Sequence, residues 1–302
     1  APPGPASGGP GSAGIRPRGV RPRQRAESGF RDLDEFVVGT SNRLAWMAAV
    51  QTGDPRELPP AGILFLHGDC GVGKTHLLQG ICRRYGHLAT TAGVDARVRY
   101  VTGEQFTNEF IAAVRDHRIE QFRDRVRRLD LLAIDDIHFL ENKVRTLNEL
   151  LHTLDAIGLT GSRIVLASDG HPSLIRRCSR SLVNRFLSGM VIEVERPDRE
   201  TRRQIAQRLS SRRGLRLGEA AVEAVASRCV GSVHEIEGAM TKIAAMHQLL
   251  AARAGGGAPE DEVGLSLVEQ VLHEAGGRPA RPVQVAGLVD AAATRLGLTR
   301  AD

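Results

Sequence analysis

Aromatic residues are scarce, 4% of 302, too few for a stacking platform to be the main device for reading bases or sugars. Lysine is scarcer: Lys74, Lys143 and Lys242 are the only three among 41 basic residues. The four cysteines, Cys70, Cys82, Cys178 and Cys229, include no C-x-x-C pair of the zinc or redox kind, so reduced thiols in a cytoplasmic protein are expected. No uncharged apolar run reaches the roughly 18 residues of a membrane span. The N-terminus has no apolar segment resembling a secretory signal. Acid is missing from the first 25 residues, which carry Arg16, Arg18, Arg21, Arg23 and Arg25. Beyond them 36 basic residues face 35 acidic ones, so any contact with nucleic acid must come from a local patch rather than from net charge.

What is present is ordinary for a globular chain: 41% hydrophobic and 25% charged residues, with a length that suits about two domains at roughly 150 residues each. Residues 1–28 are Pro, Gly, Ser, Ala and Arg with almost no large apolar group; they cannot bury enough surface to offset chain entropy and read as a disordered basic linker. From Phe30 onward short apolar runs predict strands at Ile63–His67, Val98–Thr102, Leu131–Asp135, Ile164–Ser168 and Met190–Val194. Helical periodicity fills Thr75–Tyr85, Glu104–Arg127 and Val144–Ile157 between them. Alternating strands and helices predict an α/β fold, a parallel five-stranded sheet with flanking helices, over 29–196. After Pro197 the pattern is helical: 198–213, 219–229 and 232–251 form a small lid domain over 197–253, with Asp198 as an N-cap. A Gly-rich loop and connecting helix follow at 254–280, and 281–302 reads as the start of a further helical domain.

One motif is complete. Gly68-Asp69-Cys70-Gly71-Val72-Gly73-Lys74-Thr75 follows an apolar strand and opens a helix, the context of a phosphate-binding loop. Glycines let the backbone turn and aim N–H groups at phosphate oxygens, and the helix N-terminus adds partial positive charge. Lys74 can reach the outer phosphates and Thr75 can bind Mg²⁺. Some sixty residues later Leu131-Leu132-Ala133-Ile134-Asp135-Asp136 is an apolar strand ending in two acids. Asp135 suits the Mg²⁺ shell and Asp136 suits polarising an attacking water. Asp169, after the next strand, is placed to sense a γ-phosphate; a plain turn acid is the alternative. Arg185, between apolar neighbours, suits a finger aimed at another subunit's nucleotide, against a surface helix arginine.

These residues, with Phe36–Arg43, Phe106-Thr107-Asn108-Glu109-Phe110, Ile134–Leu140 and Val233–Ala239, closely resemble the bacterial DnaA replication-initiator family within the AAA+ ATPases, from Phe36 to the C-terminus. The resemblance implies ATP and ADP with Mg²⁺ between the α/β base and the lid. It assigns Val38 and Asn42 to the adenine side, Gly68, Gly71, Val72, Gly73, Lys74, Thr75 and His76 to the nucleotide, Thr75 and Asp135 to the metal, and Asp135, Asp136, Asp169, Arg185 and His234 to the chemistry. It implies head-to-tail self-association and single-stranded origin DNA held by Ile111, Lys143 and Arg145 in the filament interior. The replicative helicase and acidic phospholipids are further candidate partners. The arginines of the Glu104–Arg128 stretch alternate with acids, so a solvated face is the competing reading there.

Three departures from the family pattern stand out. Ser181 occupies the place of a second interface arginine, and His234 the place of the lid's sensor arginine, which predicts weak hydrolysis. Residues 281–302 resemble the beginning of the family's duplex-binding domain, whose helix-turn-helix would be expected to follow. The expected function is therefore an ATP-dependent replication initiator that opens origin DNA. A related regulatory adaptor that stimulates hydrolysis by a full-length initiator is the alternative, and a helicase-loader or transposition ATPase is a poorer match.

Overall fold

The computed structural model describes residues 29–57, 62–253 and 262–275. The expected linker over 1–28, most of the Gly-rich loop and the 281–302 segment lie outside the described residues.

Five parallel strands, β1 (Ile63–His67), β2 (Val98–Thr102), β3 (Leu131–Asp135), β4 (Arg163–Ser168) and β5 (Met190–Glu193), form one sheet in the order β2-β3-β4-β1-β5. The inner strands are buried along almost their whole length, which is why their sequences are continuously apolar rather than alternating. Alternate residues feed two core layers. Leu64, Leu66, Ala133 and Val165 pack with Ala45 and Ala49 of α1 (Arg43–Thr52) and Leu77, Leu78 and Ile81 of α2 (Lys74–Thr91). Phe65, Leu132, Ile134 and Leu166 point the other way, into α3 (Gly103–Arg115), α4 (Ile119–Arg127), α5 (Val144–Leu159) and α6 (Arg180–Leu187). Phe122 and Phe186, both fully buried, anchor that second layer. Truncating either to Ala costs roughly 3–5 kcal/mol on the scale of large buried side chains.

The stretch Glu104–Arg127, read as helical throughout, forms two helices, α3 and α4. Thr102 opens α3 with a capping box, its hydroxyl accepting from Gln105 N while Gln105 Oε1 accepts from Thr102 N. The helix stops where His117 turns left-handed at φ 54°. Arg118 N then donates to Ala113 O at 2.8 Å and His117 N to Val114 O at 3.2 Å, a Schellman closure made without glycine.

A four-helix bundle follows: α7 (Arg199–Arg212), α8 (Glu219–Arg228), α9 (Val233–Arg253) and α10 (Leu265–Ala275). Its core joins Ile205 and Ala206, Val222 and Val225, Ile236, Met240 and Ile243, and Val268, Val271 and Leu272. The last three lie on α10, so the helix expected only to connect is packed into the bundle.

The segment Asp32–Asn42 ties bundle to sheet. Leu33 and Phe36 are buried in the α1/α2 layer, while Val37 packs on the bundle core. Thr40 Oγ1 donates to Asp198 Oδ2 at 2.6 Å, Arg208 donates to Asp34 O at 2.7 Å, and Arg212 pairs with Glu35.

Candidate functional site

The carboxyl ends of β1, β3 and β4 lie side by side, in the register His67↔Ser168 and Ile134↔Leu166. Open parallel sheets bind ligands at that edge. The Gly68–Thr75 loop leaves β1 there. Gly68 and Gly71 take φ of 146° and 76°, and a Cβ on Gly68 would meet Val194 O at 2.3 Å, so both positions require glycine. No side chain caps α2, whose N-cap is Gly73. Its first amides therefore face outward with the loop, an arrangement that attracts anions. Lys74 is 6% exposed. Its ammonium donates to Gly68 O at 2.7 Å, Asp69 O at 2.9 Å and Asp169 Oδ1 at 2.9 Å. Thr75 follows it, exposed.

Asp135 is almost wholly buried at the end of β3 and accepts from Tyr100 Oη at 2.9 Å and Asp136 N at 3.0 Å. Burial and the neighbouring Asp135 charge push Tyr100 up, so it stays a donor. Asp136 sits in the left-handed region at φ 54°, which Asp tolerates better than most residues. Burial, reinforced by the adjacent Asp135, raises its pKa. Asp169 lies after β4, joined to Lys74 and 3.7 Å from His138 Nε2. His138 was not singled out by its own position in the sequence; only the fold brings it beside a residue 31 positions later.

A cleft between sheet and bundle is lined by Phe36, Val37, Asn42, Val72, Gly73 and His76 on one side and Ile205, Arg208, Leu209, Arg212, Val233 and Glu237 on the other. Asn42 lines it and orders the loop: Oδ1 accepts from Gly39 N at 2.9 Å and Nδ2 donates to Val37 O at 3.0 Å. His76 bonds Asp32 O through Nε2 at 2.7 Å and meets the Phe36 ring edge-on; burial lowers its pKa. Val38 packs on the α1/α2 layer, and Val37 takes the place at the cleft wall. The i,i+4 pair Arg208 and Arg212 on α7 adds cations to the cleft; that spacing was the available sequence signal.

His234 opens α9 against the loop. A Cβ on Gly71 would lie 2.7 Å from its Cδ2, and its Nδ1 contacts Glu237 Oε2 at 3.1 Å. Arg185 lies away from the cleft, on α6, with Nη2 donating to Leu154 O at 3.3 Å and Nε 3.3 Å from Asp155 Oδ1. Ile111 is 54% exposed on α3. Lys143 is the N-cap of α5 and Arg145 is exposed in its first turn. Phe139, between them and β3, is itself half exposed, its ring 4.6 Å from that of His138.

Residues 30–193 match the family described as the bacterial DnaA ATPase domain. The chain belongs to that family. The chromosomal replication initiator protein DnaA of Thermomicrobium roseum is 38% identical over 248 residues, 82% of this chain and 50% of that protein. The crystal structure of domain III of DnaA from Thermotoga maritima superposes with a TM-score of 0.69 at 31% identity, covering 80% of this chain and 95% of that one. The structure of AMPPCP-bound DnaA from Aquifex aeolicus gives 0.64 at 28% identity, covering 81% and 69%. The chain spans about half the length of the curated DnaA relatives it matches. No described helix is long and apolar enough to cross a membrane.

Proposed function

We propose that this chain binds ATP with Mg²⁺ in the cleft between sheet and bundle, and works as the nucleotide-switched core of a replication initiator. It assembles head to tail on single-stranded origin DNA and hydrolyses ATP slowly to ADP. One observation carries the reading: the bundle touches the phosphate loop itself, through Val233 N donating to Gly71 O at 2.9 Å. A triphosphate in the loop therefore lies within reach of both bodies, and its state can set how they sit together.

The roles follow from position. The loop amides and Lys74 hold phosphates, the ammonium exchanging its two carbonyl acceptors for phosphate oxygens. Thr75 and Asp135 offer the hard oxygens that Mg²⁺ takes, and the ion neutralises charge on the phosphates. Asp136, with its raised pKa, is suited to take a proton from the attacking water. Asp169 reports the γ-phosphate to Lys74. Phe36, Asn42 and His76 shape the base side, with Val38 behind them. Arg185, on α6 and held against α5 away from its own cleft, serves a neighbour's nucleotide. Ile111, Lys143 and Arg145 offer one apolar contact and two cations to a single strand. The functional units are the base over 29–196 and the lid from 197, with α10 included; the helicase and acidic phospholipids remain candidate partners.

The test is a thermal shift with MgATP. At 100 times its dissociation constant ATP should stabilise the chain by about 2.7 kcal/mol, and Lys74→Ala should abolish the shift. A shift that persists in that variant would overturn the assignment.

A further inference from the structure

Asp136 and His138 leave the end of β3 on one turn, and Asp169 leaves the end of β4 beside it. One donor atom from each, two carboxylate oxygens and an imidazole nitrogen, lie within 4.8 Å of one another. The ring of His138 has a single polar outlet. Its Nδ1 is buried with no hydrogen-bond partner, and its Nε2 faces Asp169 Oδ2 at 3.7 Å. That separation is too long for a hydrogen bond. It is close to the spacing of two ligands on one ion, since metal bonds of about 2.0–2.2 Å put neighbouring ligand atoms about 3–3.5 Å apart.

We propose that Asp136, His138 and Asp169 form a site for a first-row transition-metal ion of the Co²⁺/Zn²⁺ class, separate from the oxygen pair Thr75 and Asp135. The imidazole decides the class. Mg²⁺ takes oxygen ligands and keeps its waters, whereas an imidazole nitrogen with two carboxylates suits zinc, cobalt and their neighbours. With three protein ligands, a tetrahedral ion would retain an open position for water or a phosphate oxygen. The site needs no nucleotide.

Asp169 couples the two functions. Its Oδ1 holds Lys74 at 2.9 Å while its Oδ2 faces His138. A dication on Oδ2 withdraws charge from the carboxylate and repels the ammonium. Metal binding therefore loosens Lys74 from Asp169, and Lys74 in turn weakens the metal.

The experiment is a titration of the nucleotide-free chain with CoCl₂, followed by calorimetry and by the visible d–d absorption of bound cobalt. One equivalent should bind. His138→Gln should weaken cobalt binding at least tenfold, and so should Asp169→Asn, which alters an exposed side chain. Cys70→Ser, which removes the exposed loop thiol, should leave it unchanged. Lys74→Ala should tighten it several-fold, even though that variant loses ATP, so failure of the metal site and failure of the nucleotide reading are told apart. Absence of stoichiometric cobalt binding overturns the proposal. So does binding that survives both His138→Gln and Asp169→Asn, or binding lost with Cys70→Ser. Far-UV circular dichroism checks that each variant is folded.

Discussion

The amide of Val233 donates to the carbonyl of Gly71 at 2.9 Å, closing the first turn of α9 onto the phosphate loop. The same glycine leaves room for the bundle: a methyl group there would stand 2.7 Å from His234 Cδ2 and 3.0 Å from Ser232 Cβ. The loop is thus shaped on one side by phosphate chemistry and on the other by a helix.

Gly71→Ala should separate those two demands when set against Gly161→Ala. Both glycines have similar left-handed angles, φ 76° and 73°, but Gly161 has nothing within 4 Å of an added Cβ. Gly161→Ala should cost only the left-handed penalty, about 1–2 kcal/mol. Gly71→Ala should cost more and should also weaken ATP. Urea unfolding and ATP titration of the pair give the difference; equal costs with unchanged ATP affinity would deny the bundle contact.

Asp198 caps α7, accepting from Thr201 N at 2.7 Å and from Thr40 Oγ1. The Thr40 hydroxyl first, then the Thr201 amide, hold its carboxyl at about 2, below the ordinary 3.8. A depressed folded-state pKa contributes stability above pH ~4 that is lost as pH falls towards 2. Asp198→Ala should cost about 1–2 kcal/mol at neutral pH, the usual worth of a cap. Asp198→Asn should keep most of the cap but flatten the acid limb between pH 4 and 2, read by urea melts across that range.

Replacing Lys143 and Arg145 together with Ala should reduce the salt dependence of single-strand binding. At a log–log slope of about −0.7 per phosphate neutralised, losing two contacts should flatten it by about 1.4. Fluorescence anisotropy with a labelled oligonucleotide between 50 and 300 mM salt measures this, and an unchanged slope would remove both residues from the DNA surface.

His234→Arg should speed ATP hydrolysis. The histidine side chain is 63% exposed and engaged with Glu237, whereas an arginine is longer, always charged and forked for phosphate. Single-turnover phosphate release is the readout. A variant no faster than its parent would take position 234 out of the chemistry.

Much of the site was legible because its signals are contiguous. The glycine loop, Lys74, Thr75 and the acid pair after β3 each occupy a few adjacent residues whose chemistry is read in one glance. The break at His117 was not, because no Gly or Pro marks it and the 3.6-residue pattern runs through. Helix α1 was also missed. Its buried face is Ala45, Ala48, Ala49 and Thr52, small residues that let it lie close on α2 but give little apolar contrast. His138 was hidden for another reason: its neighbour Asp169 follows β4 while His138 follows β3, and only the sheet order brings them together.

The segment Asp32–Asn42 has a consequence for how the chain reaches its native form. It precedes almost all of the fold, yet its Thr40 and Asp34 bond to residues 158 and 174 positions later. Such contacts gain nothing until the intervening chain has been ordered, because the entropy of closing so long a loop must first be overcome. Its other contacts are nearer in sequence: Leu33 and Phe36 pack into the α1/α2 layer and Asp32 O bonds His76, so that end of the segment belongs to the sheet's own core. Only the contacts of Asp34 and Thr40 with α7 and its cap wait on the bundle, so the nucleotide cleft, walled by strap and bundle together, is complete only when both are in place.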